Sequence, residues 1–131
     1  MDSLIYSLIQ IIHNLNAALL LGIPLSGLYY EFQVMGSVRD LRLLTGLWAL
    51  QGITGGAFGA ASFWLYGALP DLQTIAFGAL GVKVVCVIAG LSLCTGLLMQ
   101  PRLAQYRPAW IGLAVLGGTT LSAAAVLRWY S

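Results

Sequence analysis

The sequence predicts an all-α membrane protein, a single integral domain of residues 1–131 built as an up-and-down bundle of four transmembrane helices. Two observations carry this prediction. Hydrophobic residues make up 60% of the chain and charged residues only 8%, which are too few charges to cover a globule in water. The apolar residues also form four stretches, each near or above the roughly 20 residues that cross a bilayer core of about 30 Å.

The four predicted spans cover about residues 4–30, 43–69, 72–100 and 108–127. The first is expected to be a retained helix, since Met1 and Asp2 provide no basic segment of a signal peptide and the apolar run is too long for one. The second is rich in glycine. The third is interrupted by a formal charge at Lys83, and the fourth ends beside Trp129 and Tyr130, which suit a membrane interface.

The predicted connections are short: Glu31 to Arg42, Pro70 with Asp71, and Pro101 to Arg107. Consecutive helices should therefore lie antiparallel. Four arginines then lie at one end of the bundle and one at the other: Arg39, Arg42, Arg102 and Arg107 against Arg128. Because positive loops stay in the cytoplasm, we expect both termini in the periplasm, with the chain in a bacterial inner membrane.

Several functional classes find no support in the sequence. The net charge of +2 is too small for a nucleic-acid surface. No P-loop, HExxH or GxSxG motif occurs, which argues against nucleotide-dependent, metalloprotease and serine-hydrolase chemistry. Cys86 and Cys94 lie about 12 Å apart along one helix and cannot bridge each other. The expected partners are the lipid bilayer and either other membrane subunits or further copies of this chain.

Small or polar residues at helical spacing predict which face of each helix turns inward. On the second helix, Gly52 with Gly56 and Gly55 with Gly59 also form GxxxG pairs, which favour close helix packing. The predicted inward residues are Gln10, His13, Ala17, Leu20, Pro24 and Gly27 on the first helix; Trp48, Gly52, Gly55, Gly59, Ser62 and Tyr66 on the second; Ala76, Ala79, Lys83, Cys86, Gly90 and Cys94 on the third; and Gly112, Val115, Thr119, Ser122 and Val126 on the fourth.

A polar layer is predicted near the middle of the membrane. His13 lies about 14 Å beyond Leu4, and Lys83 about 17 Å beyond Leu72, so the two are nearly level. Other polar residues fall within a turn or two of this depth. The predicted cofactor-binding residues are His13, Lys83, Asn16, Thr119 and Gln51, with His13 as the metal ligand.

Lys83 needs compensation at this depth, because an ammonium there costs at least ~2.5–3.5 kcal/mol on insertion scales. No Asp or Glu lies within the four predicted spans. One alternative is a neutral lysine hydrogen-bonded to Asn16 or Thr119, or solvated by water. The other is a bound acceptor, such as a porphyrin propionate or a quinone oxygen. His13 is equally a satisfied packing residue, a metal ligand or a proton relay.

Two helices resemble a known family. The first carries His13-Asn14-Leu15-Asn16-Ala17 and then Gly22, and the third carries Gly81-Val82-Lys83-Val84-Val85. This pattern is similar to the four-helix core of CopD-like copper-handling membrane proteins and HemJ-type membrane protoporphyrinogen oxidases. The resemblance implies a bundle that holds b-type haem or handles copper, with His13 and Lys83 as the corresponding positions.

Three hypotheses from different classes follow. The first is a protein that binds haem b or copper at the polar layer, for electron transfer or cofactor handling. The alternative is a non-catalytic accessory or assembly subunit of a larger respiratory or photosynthetic complex, to which the glycine-rich faces point. The third is a transporter for a small solute, with the polar layer as its midplane site.

Overall fold

The computed structural model describes residues 2–29, 38–67 and 74–130, and these residues form long α-helices without a strand. The helices are α1 (Asp2–Tyr29), α2 (Val38–Tyr66), α3 (Thr74–Met99) and α4 (Arg107–Tyr130), and a short 3₁₀ helix at Pro101–Gln105 precedes α4. The predicted all-helical class with four helices is confirmed. The predicted span ends at residues 30, 68–69 and 72–73, and the connections at 31–37 and 70–71, lie outside the described residues.

The four helices close into a ring in chain order. α1 packs against α2 and α4, and α3 packs against the same two, so that α1 and α3 face each other across the diagonal. α1 and α2 run antiparallel, because His13 meets Thr54 while Asn16, further along α1, meets the earlier Leu47. This arrangement brings residues of α1, α2 and α3 together at the centre.

Three helices are long and apolar enough to cross a membrane: Leu4–Tyr29, Thr74–Met99 and Arg107–Trp129. These correspond to α1, α3 and α4. α2 is also long, with 29 residues, but its glycines, threonines and Gln51 lower its mean hydropathy. Large apolar side chains such as Ile11 and Val85 are exposed on the outside of the bundle, where lipid rather than water would suit them.

The predicted inward faces of α1 and α3 are confirmed. His13, Ala17, Leu20 and Pro24 are buried on α1, whereas Gln10 and Gly27 are partly buried. On α3 the predicted residues are buried apart from Lys83, which is partly exposed: Ala76, Ala79, Cys86, Gly90 and Cys94.

The predicted inward face of α4 is wrong. Val115, Thr119, Ser122 and Val126 are exposed, and Gly112 is partly buried. The physical reason is local, since Thr119 donates a hydrogen bond to the Val115 carbonyl and Ser122 donates to the Gly118 carbonyl. A helical hydroxyl that is satisfied by its own helix needs no partner on another helix. The residues that α4 does bury are Trp110, Leu113, Ala114, Gly117, Thr120 and Ala123.

The predicted inward face of α2 is wrong for most of its glycines. Trp48 is buried, but Gly52 and Gly55 are exposed and Gly59 is partly buried. The side chains of Ser62 and Tyr66 lie outside those that the structure describes. A Cβ added at Gly52 would lie 3.3 Å from Val87 on α3. Cβ atoms added at Gly56 and Gly59 would meet nothing within 4 Å. The GxxxG pairs therefore do not pack against the described helices along their full length. The buried residues of α2 are Leu41, Leu44, Trp48, Gln51 and Thr54.

Two glycines allow the closest approaches in the bundle. The Trp48 ring lies directly against Gly90, where a Cβ would clash with it. A Cβ added at Gly117 would lie 2.5 Å from the Leu20 carbonyl oxygen, so that α1 and α4 touch through their backbones. At the same end, the Trp110 indole donates to the Ala104 carbonyl over 2.8 Å and ties the 3₁₀ helix to α4.

Candidate functional site

His13 joins three helices through its two ring nitrogens. Its side chain is only 8% exposed. Nδ1 lies 2.6 Å from the Thr54 hydroxyl on α2. Nε2 lies 2.6 Å from the Lys83 amine on α3 and 3.1 Å from the amide nitrogen of Gln51. The imidazole is therefore the centre of a hydrogen-bonded cluster in the bundle interior.

Asn16, one turn further along α1, extends this cluster. Its amide nitrogen donates to the Leu47 carbonyl over 2.8 Å and to the side-chain oxygen of Gln51 over 2.7 Å. Gln51 is 1% exposed and so has no access to solvent. Its oxygen accepts from Asn16 while its nitrogen faces His13. The two amides thus connect the Leu47 backbone to the imidazole.

Two backbone carbonyls determine the direction of every hydrogen bond in the cluster. The Leu47 carbonyl can only accept, so the nitrogen of Asn16 must face it, and the oxygen of Gln51 must face that nitrogen. The nitrogen of Gln51 then points at His13 Nε2, which must be the acceptor. At the other end, the Thr54 hydroxyl donates to the Leu50 carbonyl and accepts from His13 Nδ1.

This pattern assigns His13 to the neutral tautomer with its proton on Nδ1. A doubly protonated ring would place an N–H at Nε2 against the donors of Gln51 and Lys83. One lone pair on Nε2 is therefore shared by two donors. The cluster holds more donors than acceptors at the point where Lys83 enters it.

Lys83 is the partly exposed member of the cluster. Its amine carries up to three N–H bonds as an ammonium, and within the described residues one of them is directed at His13. The described parts of the four predicted spans contain no Asp or Glu. The structure thus places a lysine amine against a neutral imidazole, without a carboxylate in these segments to balance its charge.

Four of the five predicted site residues meet in this cluster: His13, Asn16, Gln51 and Lys83. Thr119 does not, because it is exposed on α4 and bonds to its own helix. The residue that the sequence analysis missed is Thr54. It follows Gln51 by three positions, which places it on the same face of α2 one turn away, and this spacing was the available signal.

The surroundings of His13 suit a single metal ligand. Metal-bound histidines commonly donate their second ring nitrogen to an oxygen that orients the ring, as His13 Nδ1 does to Thr54. The lone pair on Nε2 now accepts from Gln51 and Lys83. A metal bound there would need that lone pair, so both donors would have to turn away. Among the described residues, no group of three or more His, Cys, Asp or Glu residues lies together, which makes His13 a solitary candidate.

The part of α2 that lies beside the imidazole consists largely of glycines, which have no side chains. A Cβ added at Gly55 would lie 3.8 Å from His13 Cε1, and Gly56 and Gly59 continue along the helix with no atom in contact range. The imidazole edge is therefore covered by a glycine on this side. The cluster is less enclosed here than toward Asn16, which is 2% exposed.

Comparisons with protein-family models, curated proteins and solved structures give no match to this chain. The fold and the cluster therefore define the class of protein by themselves. Its described residues form an all-helical bundle with three helices able to cross a membrane by length and composition. At its centre the buried His13, Asn16 and Gln51 meet the partly exposed Lys83.

Proposed function

We propose that this chain is an integral membrane protein that binds a cofactor, haem b or copper, at the His13 and Lys83 cluster. Its role would be electron transfer or cofactor handling. The observation that carries the proposal is the 2.6 Å contact between the Lys83 amine and His13 Nε2, in segments that contain no described carboxylate. A neutral metal ligand and a cation side by side match a metal that is accompanied by an anionic group.

The two residues would have separate tasks. His13 Nε2 would bind the metal, while Thr54 holds the ring through Nδ1. Lys83, once it releases Nε2, would donate to an oxygen acceptor such as a haem propionate or a quinone oxygen. Haem or copper would supply one-electron chemistry that the side chains lack. Gln51, which is held by Asn16, would also have to release Nε2, so that Thr54 alone would orient the imidazole through Nδ1.

The membrane topology is part of the same proposal. α2 packs along both α1 and α3, so a bilayer that is crossed by those two helices would also surround α2 at the same depth. Arg39, Arg42, Arg102 and Arg107 belong to the ends of α2, the 3₁₀ helix and α4 on one side. Their charge favours a cytoplasmic location. Both termini would then lie in the periplasm of a bacterial inner membrane.

The visible spectrum of the purified chain tests this function. Protein extracted from membranes in mild detergent should show a haem Soret band or bound copper. His13→Ala should abolish it, because the ligand is lost. Lys83→Met should lower the occupancy several-fold while the metal ligand remains. Thr119→Val is the matched control, since Thr119 lies outside the cluster, and its occupancy should equal that of the wild type.

The proposal fails if the wild-type chain, expressed with haem and copper available, carries neither. It also fails if His13→Ala and Thr119→Val retain equal amounts of cofactor. In either case, the second candidate function, which is described next, becomes the better supported of the two.

That second candidate is an accessory or assembly subunit, or a homo-oligomer. The observation that favours it is a face of α2 with free space beside it. Cβ atoms added at Gly56 and Gly59 would meet nothing within 4 Å, and the side chains of Phe63 and Trp64 are exposed. Glycine faces let another transmembrane helix approach closely. A cofactor-free protein that elutes together with a stoichiometric membrane partner would identify this role in the same purification.

A further inference from the structure

Among the residues that the structure describes, three buried polar side-chain atoms have no hydrogen-bond partner: Asn16 Oδ1, Trp48 Nε1 and Thr120 Oγ1. They belong to α1, α2 and α4, and their residues are at most 2% exposed. Buried polar atoms are nearly always paired, since leaving one unpaired costs the full loss of its hydration. Three such atoms in one small bundle therefore require an explanation.

The contacts between helices place the three residues at one level. Asn16 bonds to Leu47 and Gln51, the residues on either side of Trp48. On α4, Gly117 lies against the Leu20 carbonyl. Because α1 and α4 run in opposite directions, one turn further along α4 brings Thr120 opposite Asn16 and its neighbour. All three residues thus occupy a single layer.

All three residues are also buried in the interior of the bundle. Neighbouring helices pack with axes about 8–10 Å apart, so buried side chains of one layer lie close together. The Trp48 ring leaves α2 and packs on Gly90 of the neighbouring helix α3. Thr120, fully buried on α4, faces the interior from the diagonally opposite side.

Thr120 differs from other hydroxyl residues in these helices. Thr54 and Thr119 donate to the carbonyl four residues earlier on their own helix. Thr120 makes no such bond, although the Leu116 carbonyl is available at the corresponding position. Its hydroxyl therefore still needs a hydrogen-bond partner from outside its own helix.

We propose that Asn16, Trp48 and Thr120 bind one small hydroxylic molecule, a water molecule, at the centre of the bundle. The chemistry of the three atoms is complementary to such a ligand. The Asn16 oxygen needs a donor, the Trp48 indole needs an acceptor, and the Thr120 hydroxyl serves as either. A buried water typically makes about three hydrogen bonds, which matches this set.

The bound water would connect α4 to the rest of the polar cluster. The side-chain hydrogen bonds of Trp110, Thr119 and Ser122 on α4 end on α4 itself or on the 3₁₀ helix. Through the water, the cluster would run without interruption from Lys83 by way of His13, Gln51 and Asn16 to Thr120. This site does not depend on what Lys83 binds.

The test combines the indole resonance of Trp48 with the stability of the chain. Trp48→Phe assigns the indole ¹⁵N–¹H signal among the four tryptophans. In Thr120→Val, which keeps the side-chain shape, the Trp48 indole proton should shift upfield and the melting temperature should fall by several degrees. In the matched control, Thr119→Val, both quantities should equal those of the wild type. An O–H stretching band that moves to lower frequency in H₂¹⁸O should be present in the wild type and absent in Thr120→Val.

The proposal is overturned if Thr120→Val leaves the Trp48 resonance in place, or if it raises the melting temperature, as removal of an unpaired buried hydroxyl would. It is also overturned if the isotope-sensitive band persists in Thr120→Val. If Thr120→Val fails to fold, the variant Thr120→Ser tests the proposal instead. It keeps the hydroxyl, so it must retain both the indole shift and the infrared band, and their loss would count equally against the proposal.

Discussion

The two halves of the bundle are held together by different forces. In the half that contains the ends of α1 and α3, the interior is formed by apolar side chains and by close backbone contact. This apolar half contains Leu20, Leu41, Leu44, Leu97, Trp110 and Leu113. In the half toward the start of α1, the interior is the hydrogen-bonded cluster of His13, Gln51, Thr54 and Lys83.

The difference shows what specifies a structure when lipid is the solvent. Apolar side chains gain little by leaving lipid for a protein interior, so the apolar half depends on shape and on close contact at Gly90 and Gly117. The polar half depends on paired hydrogen-bond donors and acceptors, because bulk water cannot reach an unpaired polar group within a bilayer. Substitutions that change shape should therefore damage the first half, and substitutions that change pairing should damage the second.

The largest effect is expected at Gly117, in the apolar half. In Gly117→Ala, the new Cβ would lie 2.5 Å from the Leu20 carbonyl oxygen. The backbones of α1 and α4 would have to separate, at a cost near the upper end of about 1–3 kcal/mol for overpacking. Unfolding in mixed detergent and SDS micelles measures the loss.

Gly46→Ala is the control for that experiment. A Cβ at Gly46 meets nothing within 4 Å, so the substitution should be neutral or stabilise the helix by about 0.5–1 kcal/mol. Equal stabilities of the two variants would show that backbone contact does not hold α1 to α4.

A smaller effect is expected from breaking the pairing in the polar half. His13→Leu removes the acceptor that serves Gln51 and Lys83, and we expect a loss of about 2 kcal/mol from the donors left unpaired. Lys83→Met should cost much less, because Gln51 still donates to Nε2 and an amine leaves an apolar environment. The same unfolding assay compares the two variants. A larger loss for Lys83→Met than for His13→Leu would contradict the hydrogen-bond pattern.

The sequence was sufficient to predict the four helices, the inward faces of α1 and α3, and the meeting of four of the five polar residues that it singled out. These predictions succeeded because a histidine and a lysine in an apolar helix have few alternatives to an inward position. They failed on α4, because hydroxyl residues are polar by composition but can satisfy themselves: Thr119 and Ser122 bond to their own helix and face outward. Composition does not distinguish Thr119, which is exposed, from Thr120, which is buried. The packing of α4 against Leu20 of α1 distinguishes them, because it determines which face of α4 turns inward.

The smallest effect, and the most specific one, is expected at Thr54. In Thr54→Val the hydroxyl that accepts from His13 Nδ1 is lost, which should cost about 1 kcal/mol. The informative measurement is the pair of imidazole ¹⁵N shifts. In the wild type, Nδ1 should be protonated and Nε2 should carry the free electron pair. In Thr54→Val, the Nδ1 proton loses its acceptor, so the Nδ1 resonance should move toward that of an unbonded N–H, whereas Nε2 still accepts from Gln51.

The control for this prediction is Thr119→Val, whose hydroxyl bonds to Val115 and not to the cluster. Its imidazole shifts should match those of the wild type. A wild-type ring protonated at Nε2, or at both nitrogens, would contradict the assigned direction of the hydrogen bonds. Because Thr54 orients the ring whose Nε2 is the proposed metal ligand, Thr54→Val should also lower cofactor occupancy, although Thr54 itself would touch neither metal nor cofactor. A loss of about 1 kcal/mol in stability that comes with unchanged occupancy would separate the role of Thr54 in folding from its role in orienting the ligand.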